Sequence, residues 1–177
     1  MHGKGGLSFF NVILRPESLG TVRLSSSDPF AYPIIDPQYL STEKDRSIMR
    51  KAVRFALQLK AQLVAQKYPV FDAHIPVSNS DEDVDKFIRS ELQSTNHYTS
   101  TCRMAPEEEG GVLDDYLCVH GVKGLRVSDS SAFPHILSTH LAAATVAVAE
   151  KCSDMVHWRY SQALAKQTRR WFARTTD

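Results

Sequence analysis

The sequence predicts an α+β protein: an antiparallel sheet with flanking helices over residues 1–95, then strands and one helix over residues 96–156, then a basic tail from 157 to 177. Three observations predict it. Branched and aromatic residues cluster in two short early runs around a turn. Apolar residues recur at helical spacing between Ile48 and Leu63. After Asn96 the texture changes to short apolar pieces punctuated by glycine, ending in the apolar run LAAATVAVA.

In chain order, residues 7–14 (LSFFNVIL) read as a strand, RPESLG as a turn, and TVRLS as a second, alternating strand. SSSDPFAYP is a loop whose prolines restrict the residues before them. Ile34 and Ile35 form a brief strand that Asp36-Pro37 ends. Thr42 is placed to cap a helix, with Asp45 three residues on as a short-armed capping box. Ile48, Ala52, Phe55, Ala56, Leu59 and Leu63 give that helix its apolar stripe to about Gln66. Lys44, Arg46, Arg50, Lys51, Arg54 and Lys60 fall mostly off the stripe and read as a solvated face. Ser80 caps a second helix, where Asp81, Glu82 and Asp83 sit in the first turn that favours anions. Val84, Phe87, Ile88 and Leu92 form its buried side.

Glu107 to Gly111 is a polar turn, and residues 112–113, 117–119 and 125–129 read as short strands. The helix that follows starts near Thr139 and is apolar on nearly every face to Ala149, a pattern that expects burial on most sides. The tail carries Arg159, Lys166, Arg169, Arg170 and Arg174 with Trp171 and Phe172, read as a frayed or packed C-terminal helix. Val156 closes the segment before it.

Composition narrows the function classes. At 42% hydrophobic and 23% charged the chain is globular, and a net charge of +1 gives no general pull toward nucleic acid or membrane. Cys102, Cys118 and Cys152 are an odd number at no disulfide-framework spacing. The start MHGKGGLSFF lacks the h-region of a secretory signal, and Leu141 to Ala149 is too short for a transmembrane segment. A soluble protein of unassigned compartment is expected, and the oligomeric state is open.

Several chemistries are excluded by their missing motifs. There is no GxSxG elbow and no GxxxxGK[ST] loop, and GKGG at the start has the wrong spacing for one. No GxGxxG follows a strand, so the chain lacks a dinucleotide-binding fingerprint of its own. A small zinc protein using His97, Cys102, Cys118 and His120 is one reading of the chain, though these four lack C-x2–4-C or H-x3–5-H spacing and no metal site is assigned. The other reading rests on His97 and His140, which bracket a strand–turn–helix unit. One imidazole can take a proton near neutral pH while the second donates a hydrogen bond to the same oxygen, an assistance worth ~10²–10⁴-fold.

Residues 96–106 (NHYTSTCRMAP) and 112–151 (VLDDYLCVHGVKGLRVSDSSAFPHILSTHLAAATVAVAEK) closely resemble the C-terminal signature of the glucose–methanol–choline (GMC) flavin oxidoreductases. That signature runs His-Pro-x-Gly-Thr-Cys-x-Met-Gly, then Leu-Arg-Val-x-Asp-x-Ser-x-x-Pro, then His or Asn before an apolar helix. RPESLGTVRLSSSDPFAYPIIDPQYLSTEKD resembles the family's substrate-domain hairpin and following helix. The likeness extends to about Val156. Tyr98 and Ser100 stand where Pro and Gly are common, in the manner of a fungal-type branch. Family members are several times longer, and their N-terminal half carries the Rossmann fingerprint and most FAD contacts.

The resemblance implies an FAD-dependent oxidoreductase acting on a small-molecule alcohol, with oxygen or a quinone as electron acceptor. It implies that residues 1–95 form the substrate-domain lobe and residues 96–156 the C-terminal part of an FAD-binding domain. His97 matches the active-site base that takes the hydroxyl proton as hydride passes to flavin N5, and His140 matches the group that holds the alkoxide oxygen. Asp129 and Ser130 fall where the strand end approaches the flavin ribityl and phosphate region. Thr139, His140 and Leu141 lie where a helix N-terminus, with its unpaired N–H groups, faces the flavin pyrimidine. His135 is expected to be structural, Cys102 a buried structural thiol, and Cys118 and His120 ordinary packing or surface residues. The alternative within the same family is a truncated, non-catalytic C-terminal domain that does not hold FAD alone and needs a missing N-terminal half. In either case the helix over residues 139–156 is expected to expose apolar surface in this chain alone.

Overall fold

Two compact units divide the chain, Met1–Thr95 and Asn96–Asp177. The computed structural model describes residues 7–175, with the side chains of Leu164 and of residues 167–175 outside the description. The GKGG motif and the side chains of Arg169, Arg170, Trp171, Phe172 and Arg174 therefore lie outside the described residues.

In the first unit, β1 (Thr21–Arg23) pairs antiparallel with β2 (Ile34–Asp36), Val22 opposite Ile35. The loop between them is tied by Asp28, whose carboxylate accepts from Phe30 N at 3.0 Å, and by Ser25 Oγ, which donates to the Tyr32 carbonyl at 2.7 Å. Gly20 precedes β1 because a Cβ there would lie 2.4 Å from the Asp36 carbonyl oxygen. The strand expected over residues 7–14 is not formed. The described sheet has two strands only, and a β-prone run without a ladder partner has nowhere to place its amides.

Helix α1 (Glu43–Ala65) begins where the Thr42 hydroxyl accepts from Asp45 N at 3.2 Å. The return arm of the capping box takes a different route. The Asp45 carboxylate, one methylene shorter than Glu, binds Glu17 N (3.0 Å), Ser18 N (2.8 Å) and Ser18 Oγ (2.5 Å). Ser18 Oγ in turn accepts the Thr42 N–H at 3.3 Å. A buried carboxylate thus pins the preceding loop to the helix start. Burial alone would raise the Asp45 pKa, but the Ser18 hydroxyl and the Glu17 and Ser18 amides outweigh it and hold the carboxyl below its ordinary value.

Helix α2 (Asp81–Glu91) is capped by Ser80, which accepts from Asp83 N at 3.2 Å. Met49 and Val53 of α1 close on Val84 and Ile88 of α2, with Ile13, Leu40, Leu57 and Phe87 around them. This buried face of α1 is rotated from the expected one, and Ile48, Phe55 and Leu59 are left exposed. The basic face explains the rotation. Arg50 grips Asp85 through Nε and Nη2, both at 2.7 Å, and reaches Glu43 at 2.8 Å, while Arg54 bonds Asn79 and Asp81. These guanidiniums are not merely solvated; they draw the neighbouring positions 49 and 53 against α2. The Arg50 hydrogen bonds hold Asp85 and Glu43 below the usual carboxylate range, and Arg54 does the same for Asp81.

The second unit is built on close backbone approaches. Cys102 N donates to the Ser131 carbonyl and Met104 N to the Ala132 carbonyl, both at 3.0 Å. The strands expected over 112–113, 117–119 and 125–129 shrink to single bridges, Met104–Leu113, Leu113–Val119 and Cys118–Arg126. Left-handed backbone at Leu117 (φ 60°), Gly121 (φ 71°) and Gly124 (φ 80°) turns the chain too often for longer ladders. Glu107–Glu109 form a 3-10 turn, and a Cβ on Gly111 would meet the Ala105 carbonyl oxygen at 1.9 Å. Leu113, Leu117, Ala132 and Cys152 form the core, with Cys102 and Met104 packed on it.

Helix α3 (Ala142–Thr175) starts later than the apolar pattern suggests and continues past Val156. Leu141 stands at its N-cap, its carbonyl accepting the Thr145 N–H at 2.8 Å, so Thr139, His140 and Leu141 form the approach to the helix. The helix is not buried on most sides: Ala142, Ala143, Val146, Ala147 and Ala149 are exposed. No described helix is long and apolar enough to cross a membrane.

Candidate active site

The two histidines singled out in the sequence meet in the second unit. His97 Nε2 and His140 Nδ1 are 2.7 Å apart, and the rings stand edge to face with centroids 5.0 Å apart at 89°. His97 is half-buried and His140 exposed, so the pair opens outward.

Local backbone sets the approach of His97. Asn96 (φ 58°) and Ser100 (φ 67°) are both left-handed and enclose residues 97–99. Asn tolerates that region better than most residues, whereas serine is strained there. The Tyr98 hydroxyl spans His97 and donates to Asn96 Oδ1 at 3.2 Å. His140 is delivered by Leu141, which is 5% exposed and anchors the entry to α3.

A bond between two neutral imidazoles fixes how their protons are shared. One ring donates its only N–H across the 2.7 Å gap, which leaves its second nitrogen with a lone pair. The accepting ring keeps its N–H on the outer nitrogen. Either direction of the bond leaves the pair with one base and one donor.

The remaining candidate residues divide. Asp129 caps the 3-10 turn Ser130–Ala132, and its Oδ1 accepts from Ser131 N (2.8 Å) and Ser131 Oγ (2.5 Å). Ser130 Oγ donates to the Tyr98 carbonyl at 2.7 Å. Both polar side chains thus make bonds within the chain, which sequence reasoning did not foresee. Thr139 is exposed, and the first turn of α3 (Leu141, Ala142, Ala143, Ala144) offers no side-chain acceptor to its own amides. His135 is exposed and stands apart from the pair's hydrogen bond. His120 Nε2 donates to the Ala105 carbonyl at 3.0 Å and so belongs to the fold. Among the described residues no three His, Cys, Asp or Glu side chains gather as a metal ligand set, so His97, Cys102, Cys118 and His120 do not form one.

Comparison with known proteins identifies what the chain is similar to. A family model described as GMC oxidoreductase matches residues 16–149. Dehydrogenase str4 of Strobilurus tenacellus is 37% identical over 169 residues, spanning 85% of this chain and 27% of that protein. The structure of a fungal aryl-alcohol oxidase superposes with a TM-score of 0.74 at 35% identity, covering 84% of this chain and 25% of the other. A formate oxidase of Aspergillus oryzae, whose structure was solved for the effect of a mutation on FAD modification, gives a TM-score of 0.74 at 32% identity over 85% of this chain and 26% of that one. The chain spans about a quarter of the length of the relatives it matches.

Proposed function

The chain belongs to the GMC oxidoreductase family, and from that membership we propose that it carries the catalytic portion of an FAD-dependent oxidoreductase acting on the CH–OH group of a small alcohol. The observation that carries the proposal is the His97–His140 pair. An alcohol oxygen entering between the rings exchanges one N–H···N bond for two: its O–H donates to the lone pair of one nitrogen, and its oxygen accepts from the N–H of the other. With His97 as the acceptor of that proton, His140 holds the oxygen as it becomes an alkoxide. Base assistance of this kind is worth ~10²–10⁴-fold.

The residues present fit part of a flavin site. The first turn of α3 has no side-chain acceptor at Leu141 or at the alanines after it, which supports reading its N–H groups as the donors to the flavin pyrimidine. Thr139, His140 and Leu141 line the approach, and Asp129 and Ser130 shape the turn beside it. FAD bound against this face supplies the acceptor for the hydride of the alcohol.

A second reading, the C-terminal domain that does not hold FAD alone, is favoured by exposed apolar surface. Phe30, Tyr32, Phe71 and Val77 are each more than four-fifths exposed, and α1 leaves Phe55 bare. Three-quarters of each relative's chain lies beyond the matched part, enough to cover such faces.

Flavin titration separates the two readings. The purified chain is mixed with FAD, alone and joined to the remaining part of a GMC fold, and the flavin absorbance retained after gel filtration is measured. Colour and alcohol turnover in the joined protein, lost with His97→Ala but kept with His135→Ala, support the catalytic assignment. Equal turnover in the two variants overturns it. Colour retained by the chain alone removes the second reading.

A further inference from the structure

We propose that Ser130 is a positioning residue for His97, holding the imidazole in register with His140 through the backbone of the loop between Asn96 and Ser100. The inference rests on the reading of His97 and His140 as the catalytic pair.

Ser130 grips that loop at two points. Its hydroxyl donates to the Tyr98 carbonyl at 2.7 Å, and its own carbonyl accepts the Ser100 N–H at 3.4 Å. A single residue therefore brackets Thr99 from both sides, and the nearer of its two contacts, at Tyr98, is one position beyond His97. Its own place is fixed in turn, because Asp129 Oδ1 caps the turn through Ser131 N and Ser131 Oγ at 2.8 and 2.5 Å. The ladder continues through Cys102 N to the Ser131 carbonyl and Met104 N to the Ala132 carbonyl, so the turn is seated on the core at Ala132.

The loop needs such a grip. Asn96 and Ser100 both occupy the left-handed region, at φ 58° and 67°, and neither is glycine. Left-handed backbone of this kind persists only where surrounding contacts over-determine it. Both side-chain bonds to this loop are exposed, and the Asn96–Tyr98 bond across His97 is the longer at 3.2 Å. The shorter bond from Ser130 is the firmer of the two. A 2.7 Å contact between ring nitrogens tolerates little displacement, since hydrogen bonds weaken steeply with lost alignment. Loosening the Tyr98 carbonyl lets the His97 ring swing and opens the pair without touching either histidine.

The test reads the pair's hydrogen bond directly, which a stability effect alone does not move. In ¹⁵N-labelled protein, the scalar coupling between His97 Nε2 and His140 Nδ1 across the shared proton is measured for the wild type, Ser130→Ala and Ser130→Thr, beside thermal melts of each. The expected result is coupling in the wild type and in Ser130→Thr, which keeps the hydroxyl, and loss of it in Ser130→Ala while the melt stays cooperative. If the alanine variant fails to fold, Ser130→Cys, close in size but a weak donor, is expected to lose the coupling in its place. Coupling that survives in the alanine or cysteine variant, or that disappears equally from Ser130→Thr, overturns the proposal. Absence of coupling in the wild type overturns the premise of a bonded pair. Loss of alcohol turnover in His97→Ala is scored separately, so failure of the catalytic reading is told apart from failure of this one.

Discussion

His97 Nε2 lies 2.7 Å from His140 Nδ1, although 43 positions separate the two residues. Groups that share one proton act as a unit, and units respond non-additively to substitution. In the FAD-loaded protein, His97→Ala and His140→Ala are each expected to lower kcat/KM for an alcohol by about 10²–10⁴-fold. The double variant is expected to fall little below the worse single one. A double variant whose loss equals the product of the two single losses would mean independent roles.

Ser100 sits at φ 67° where the family signature carries glycine. Serine there opposes a steric preference of about 1–2 kcal/mol, partly offset by the greater freedom that glycine loses on folding. Ser100→Gly is expected to stabilise the unit Asn96–Asp177 by about 0.5–1 kcal/mol, read as a higher urea midpoint at unchanged slope. A lower midpoint would place the hydroxyl, not the backbone, in control.

What was legible in the sequence followed from local rules, and what was missed depended on partners. Caps at Thr42 and Ser80 are set by side chains within three residues, and both form as read. The pairing of His97 with His140 followed from the resemblance to a known signature; periodicity alone gave only two candidates. The strand over residues 7–14 failed because a strand is defined by a neighbour that residue preferences cannot supply. The stripe of α1 differs from the expected one because Ile48, Phe55 and Leu59 are as apolar as Met49 and Val53, and the partners of Arg50 and Arg54, Asp85 and Asp81, select the face. The bond from Ser130 to a carbonyl 32 positions away leaves no trace in spacing, so this second role of the residue is visible only in the fold.

Arg50 binds both oxygens of Asp85 and one of Glu43, a fork that a lysine ammonium does not reproduce. Arg50→Lys is expected to destabilise the unit Met1–Thr95, and to do so less in an Asp85→Asn background. The coupling, obtained from urea midpoints of the four proteins, is expected to survive a rise from about 0.1 to about 1 M salt, because partly buried pairs are screened less than exposed ones. Coupling that vanishes in salt would return these arginines to the solvated face expected from their spacing.

Asp45 is 0% exposed, and its carboxylate accepts two amides and a hydroxyl from the loop before α1. Its folded pKa lies below the ordinary value, with the penalty of burial outweighed by the Ser18 hydroxyl and the Glu17 and Ser18 amides. A group with a depressed folded pKa contributes its stability above the unfolded value, about 3.9 for Asp, and loses it as pH falls through the folded one. The unit Met1–Thr95 is therefore expected to hold its stability from neutral pH to about 4 and to weaken below. Glu43, Asp81 and Asp85 are depressed as well and add to the same acid limb, so the share of Asp45 is read as a difference. Asp45→Asn replaces one accepting oxygen by a donor that faces other donors, and is expected to lower stability at pH 7 by roughly 2 kcal/mol. Below pH 4 the wild type is expected to converge on the variant, because protonated Asp45 has also lost an acceptor. Parallel acid limbs in the two proteins would show that Asp45 stays ionised throughout or contributes through shape alone.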